Sequence, residues 1–161
     1  MTPSDGVTIF TIGHGDASFG DLERRIMRHR IQAIVDVRSI PYSKHAPDFA
    51  KAELEAIAAE AGLGYRWLGD HLGGRPTDVE LLTDGKPDVA KITAGAHFRA
   101  GIEELLGVAA TSRVVVLCSE LDPRHCHRTA WIAPALEDAG AHVWHIDADG
   151  AADAHQPDLG L

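Results

Sequence analysis

Val114-Val-Val-Leu-Cys118-Ser-Glu120-Leu-Asp-Pro-Arg-His125-Cys126-His127-Arg128-Thr-Ala-Trp-Ile-Ala-Pro-Ala-Leu136 is the stretch whose reading decides the fold. It opens on four consecutive apolar residues, three of them β-branched, the pattern of a strand buried on both faces. A polar loop follows, and helical spacing resumes at Trp131, Ile132 and Leu136. A buried strand that runs through a polar loop into a helix N-terminus is where open α/β sheets place ligands. Both cysteines of the chain lie in or beside this loop.

The rest of the chain repeats this alternation. β-branched or apolar runs at Val7–Ile12, Ile31–Val37, Tyr65–Leu68 and Ala141–Ile146 predict strands. Helical spacing is read between them over 18–29, 51–61 and 97–110, and again over 127–139 after the decisive strand. Ser18 followed by Asp21 marks the first helix start. Residues 77–95 are the least readable, with a short helix expected over 77–82. The sequence therefore predicts a single α/β domain over residues 1–146, with a mainly parallel open sheet of about five strands and helices on both faces. Such layering is Rossmann-like or rhodanese-like. Residues 147–161 are expected to form an acidic, flexible tail.

Composition narrows the function classes. The net charge of −9 disfavours a protein that coats nucleic acid, although four of those charges are tail aspartates. No run reaches the ~18 apolar residues of a membrane span, and the N-terminus lacks a signal-peptide layout. Two cysteines do not make a secreted disulfide framework, which points to a reducing, cytoplasmic setting.

In a parallel sheet, residues following each strand gather on one carboxyl edge. His14, Arg38, the Gly73-Gly74-Arg75 loop, Cys118 and Glu120 all occupy such positions. His14 and Glu120 are candidate proton-transfer groups, and Arg38 a candidate anion binder, unless it only pairs with Asp36 or Glu120. Gly73 and Gly74 permit positive φ or close backbone approach. Cys126 stands before a helix, between His125 and His127 and near Arg128, where a thiol loses its proton readily. Cys118, at the end of a core strand, reads as structural. His125, Cys126, His127 and Cys118 also offer zinc-type donors, but three adjacent residues in a loop point in different directions. Cys118 and Arg124 have the spacing of a cysteine-phosphatase loop, yet Glu120, Asp122 and Pro123 do not suit an anion cradle.

Thr11-Ile-Gly-His14, Val35-Asp-Val-Arg38-Ser-Ile-Pro41-Tyr-Ser43, Leu72-Gly73-Gly74 and Leu117-Cys118-Ser-Glu120 through Cys126-His127-Arg128 resemble the motifs of the DUF488 family of uncharacterised bacterial and archaeal proteins. The resemblance implies a compact α/β domain with His14, Arg38, Pro41, Ser43, Gly73, Gly74, Glu120, Cys126, His127 and Arg128 gathered in one pocket. It brings no established reaction.

Taken together, these readings favour an enzyme acting on a small anionic or nucleotide-like substrate, a Cys/Glu/His-dependent hydrolase or transferase. Cys126, Glu120 and His14 would be catalytic, and Arg38, Ser43, Gly73, Gly74, His127 and Arg128 would bind substrate. No cofactor is expected, with a metal on His125, Cys126, His127 or Cys118 the lesser reading. A nucleic-acid-associated domain using Arg75, Arg124 and stacking aromatics is one alternative; a metal-binding or thiol redox module is another. No membrane partner is expected, and the oligomeric state is not readable.

Overall fold

The β-branched runs become strands in the computed structural model, which describes residues 6–76 and 78–156. In chain order the elements are β1 (Thr8–Gly13), α1 (Phe19–Met27), β2 (Ala33–Asp36), α2 (Lys51–Glu60), β3 (Gly64–Trp67) and the one-turn α3 (Gly69–Leu72). Then come β4 (Leu82–Thr83), β5 (Lys86–Pro87), α4 (Val89–Ala94), α5 (Ala96–Ala109), β6 (Val114–Cys118), α6 (Ala133–Asp138), β7 (His142–Ile146) and β8 (Ala152–Ala154). The main sheet has six strands in the order β3-β2-β6-β1-β7-β8, and β4 and β5 form a separate hairpin. All neighbours in the main sheet are parallel except β7 and β8. This is the α/β architecture expected from the sequence.

Alternation along each strand distributes side chains to two cores. Phe10, Ile12, Ile34, Val115 and Leu117 pack with Phe19, Leu22 and Ile26 of α1 and with Leu54 and Ala58 of α2. Ile9, Val35, Val114, Val116 and Cys118 face the other way, towards Leu72, Phe98, Ile102, Leu105 and Leu136. Helices therefore cover both faces. Strand β6 lies between β1 and β2, whose outgoing connections lead to α1 and α2 on one face. The chain leaving β6 leads to α6 on the other face. A crevice opens at such a switch point. Register pairs Gly13 with Cys118 and Asp36 with both Leu117 and Trp67, so His14, Arg38 and Ser119 emerge at one edge.

Three local features differ from the sequence reading. The chain turns back after β7 because the Asp147 carboxylate accepts from the backbone N–H groups of Asp149 (2.9 Å) and Ala151 (3.0 Å). Part of the expected tail thus becomes edge strand β8; residues 157–161 lie outside the described residues. The helix expected over 127–139 begins as a π-helical turn at Arg128–Ile132 before α6. Pro134 explains it, since a proline lacks the N–H and crowds the carbonyl four residues earlier, which a widened turn relieves. The helix expected over 77–82 reduces to a 3₁₀ turn at Val79–Leu81, capped by Asp78; Thr77 is outside the described residues. No helix among the described residues is long and apolar enough to cross a membrane.

Candidate functional site

The loop leaving β6 folds on its own polar groups. Asp122 caps a 3₁₀ turn at Pro123–His125 by accepting from the Arg124 N–H at 3.0 Å. The Cys126 carbonyl then accepts from the N–H groups of Thr129 (3.1 Å) and Ala130 (3.3 Å), so Cys126 stands at the start of the helix. Its half-buried Sγ lies 2.7 Å from the buried Cys118 Sγ. The Arg128 N–H points at Cys126 Sγ from 3.5 Å, and His127 Nδ1 is 3.6 Å away.

His127 has a defined tautomer. Its Nε2 lies 3.2 Å from the Val37 carbonyl, which can only accept, so Nε2 carries a proton and Nδ1 faces the thiol. The ring also meets Trp131 edge-on at 5.5 Å. A base held by a second group while facing a nucleophile is the arrangement on which thiol catalysis depends.

The two thiols are pushed apart. Burial raises Cys118, which keeps its proton. Its hydrogen bond lowers Cys126 well below an ordinary thiol, and His127 and the Arg128 N–H add to that, although burial opposes it. The pair thus holds one negative charge, mainly on Cys126.

Arg128 supplies the opposite charge. Its side chain is fully buried, donating to Cys118 Sγ at 3.1 Å and to the Leu121 carbonyl at 2.9 Å, while its Nε has no hydrogen-bond partner. It belongs to none of the ion pairs among the described residues. A buried cation needs a neighbouring anion, and the thiol pair is placed to provide one.

Arg38 is differently employed. Its Nε and Nη2 hold the buried Asp36 carboxylate at 2.8 and 2.7 Å, and its backbone N–H adds a bond at 3.1 Å. Tyr65 donates to the same carboxylate at 2.6 Å, and its phenol is pushed far up by burial and by Asp36. Arg38 Nη1 donates to His14 Nε2 at 3.4 Å, while His14 Nδ1 donates to the Gly15 carbonyl at 2.7 Å. His14 is therefore neutral, lowered chiefly by burial, with both ring nitrogens occupied and its ring stacked on Phe49 at 4.6 Å.

A cleft of about 640 Å³ brings Arg38, Gly74, Glu120, Cys126 and His127 together with Tyr42, Arg75, Arg124 and Trp131. Four other expected site residues lie outside that lining. His14 faces a second cleft of about 570 Å³ beside Arg25 and Asp149. Ser43 accepts from the His45 N–H in its own loop. Arg128 lies beneath the floor. Gly73 brings two loops together: a Cβ there would sit 2.0 Å from Ser39 Oγ, and Ser39 Oγ in turn accepts from the Arg75 N–H at 2.9 Å. Close approach, not positive φ, is what Gly73 provides.

Two contacts were not expected from the sequence. Cys118 touches the candidate nucleophile, so it is more than core. His127 Nδ1 faces Cys126 Sγ at 3.6 Å. The pairing of Arg38 with Asp36, two residues away along the strand, is the alternative that the sequence had offered for Arg38. Among the described residues no cluster of three or more His, Cys, Asp or Glu could hold a metal ion, and the His125 side chain lies outside them.

Residues 22–133 match the family model described as Domain of unknown function DUF488. The chain belongs to this family. The DUF488 match contains Arg38, Gly73, Gly74, Glu120, Cys126, His127 and Arg128, while His14 precedes it. Neither the comparison with curated proteins nor that with solved structures gives a match. The DUF488 assignment carries no reaction.

Proposed function

We propose that this DUF488 protein is a thiol-dependent hydrolase or transferase acting on a small anionic, nucleotide-like molecule bound in the Cys126 cleft. The observation that carries the reading is the half-buried Cys126 sulfur, lowered in pKa and facing His127 Nδ1 at 3.6 Å. The Cys126 thiolate bonds to an electrophilic centre of the substrate. The leaving group departs with the bonding electrons and takes the proton carried by protonated His127 Nδ1. Water or an acceptor then returns a proton to Nδ1 as it displaces the sulfur, which restores the thiolate.

The remaining residues fit supporting roles. Arg75 is an exposed cation beside the cleft, suited to phosphate or carboxylate, whereas the exposed Arg124 already holds the Asp122 carboxylate at 2.9 and 3.1 Å. Tyr42, 63% exposed, and the buried Trp131 both line the cleft and supply aromatic surface for a flat ring. Glu120 is an exposed carboxylate lining the cleft, suited to orient an incoming water by accepting a hydrogen bond while His127 takes the proton. The Asp36–Arg38 clamp brackets Val37, whose carbonyl orients His127; Arg38 and His14 are therefore positioning residues.

Nucleoside 5′-monophosphates provide the first test by thermal shift. At least one should stabilise the wild type, with the shift retained in Cys126→Ser and lost in Arg75→Ala. No shift with any of them, together with equal iodoacetamide reactivity in wild type and Cys126→Ser, would overturn the proposal.

A further inference from the structure

We infer that Cys118 is the resolving thiol for Cys126, making the cleft a two-cysteine centre for exchange with small disulfides. This rests on the Cys126 thiolate of the preceding reading but not on its anionic substrate. The two sulfurs are 2.7 Å apart, yet their surroundings are unequal. Both residues line the cleft, but Cys126 is half-buried whereas Cys118 is only 1% exposed. An incoming disulfide therefore meets Cys126 first. Cys118, held protonated by burial, waits directly behind it.

The exchange balances in two steps. The Cys126 thiolate attacks one sulfur of R–S–S–R, forming the Cys126–S–S–R bond and releasing one RS⁻. Cys118 Sγ then attacks Cys126 Sγ as its proton passes to the departing second sulfur, giving the internal disulfide and RSH. The protein dithiol loses two electrons and the small disulfide gains them; small thiols reverse the sequence. Arg128 biases this equilibrium. A neutral Cys118–Cys126 disulfide removes the negative charge beside a buried guanidinium, so the reduced pair is the favoured resting form. The internal disulfide also removes the Cys126 nucleophile, so oxidation silences the thiolate chemistry proposed above.

The test treats the reduced full chain with glutathione disulfide, quenches with iodoacetamide and reads intact and peptide masses. Wild type should end as the internal Cys118–Cys126 disulfide without adduct. Cys118→Ala and Cys118→Ser should each stop at a single glutathione adduct on Cys126, and Cys126→Ser should remain unmodified by glutathione. A persistent adduct in wild type, no loss of thiols, or an adduct on Cys118 in Cys126→Ser overturns the inference. Rapid alkylation of Cys126 at neutral pH without internal disulfide would remove this inference alone and leave the thiolate reading standing. Loss of both would remove both.

Discussion

Replacing Arg128 by Met removes a buried charge while keeping an unbranched side chain in the same space. Arg128 Nη1 lies 3.1 Å from Cys118 Sγ, which is 2.7 Å from Cys126 Sγ. The guanidinium is thus within about 6 Å of the Cys126 thiolate, worth about 2.8 kcal/mol at an effective dielectric of ~20. That corresponds to roughly two pH units on the thiol. The assay is the pH dependence of iodoacetamide alkylation, followed by intact mass, in wild type and Arg128→Met. The midpoint should rise by about two units in the variant, with its far-UV circular dichroism unchanged. An unchanged midpoint in a folded variant would refute the view that Arg128 serves as counter-charge to the thiol pair.

Three further outcomes follow from the same geometry. Gly73→Ala puts a Cβ against Ser39 Oγ and the Gly69 carbonyl, and should cost about 2–3 kcal/mol, lowering Tm by roughly 5–10 °C; an unchanged Tm would contradict the contact. Burial holds His145 down at about 4, and His14 and His155 are lowered as well. Because the unfolded rings titrate near 6.5, unfolding takes up protons in this window, so stability is full above about pH 6.5 and falls toward pH 4. The urea midpoint should drop across that range, His145→Gln should recover about 2 kcal/mol of the loss, and a flat midpoint would contradict it. Tyr65→Phe deletes the 2.6 Å hydrogen bond to the buried Asp36 carboxylate and should cost about 1.5–3 kcal/mol in urea unfolding; no change would place that bond outside the fold's energetics.

The centre of the sheet was legible because β1, β2 and β6 are runs rich in β-branched residues. Val114–Cys118 is read correctly to the residue, and the convergence at the carboxyl edge follows from parallel strands alone. Short elements were not legible. Each strand of the β4–β5 hairpin has only two residues, too few for any alternation, although its turn residues Asp84-Gly85, both at positive φ, were a visible signal. Strand β8 is hidden in an Ala- and Asp-rich stretch whose pairing depends on a side-chain turn at Asp147. In the site, the sequence pointed to Cys126 with His127 and Arg128 beside it, but not to its contact with Cys118. Cys118 carries the marks of a core thiol in sequence, and only the turn at Pro123–His125 returns Cys126 to it. His14 read as a candidate proton-transfer group, whereas the structure employs both of its nitrogens in hydrogen bonds. Periodicity locates strands and edges; it does not say which polar neighbours have already satisfied one another.

The proposed chemistry needs Cys126 as a thiolate at neutral pH while Cys118 keeps its proton. Ultraviolet thiolate absorbance of the reduced protein during a pH titration reads this charge. One thiolate per chain is expected at neutral pH, absent in Cys126→Ser, with a second appearing only on strong alkalinisation. Two protonated thiols that ionise together in the alkaline range would contradict it.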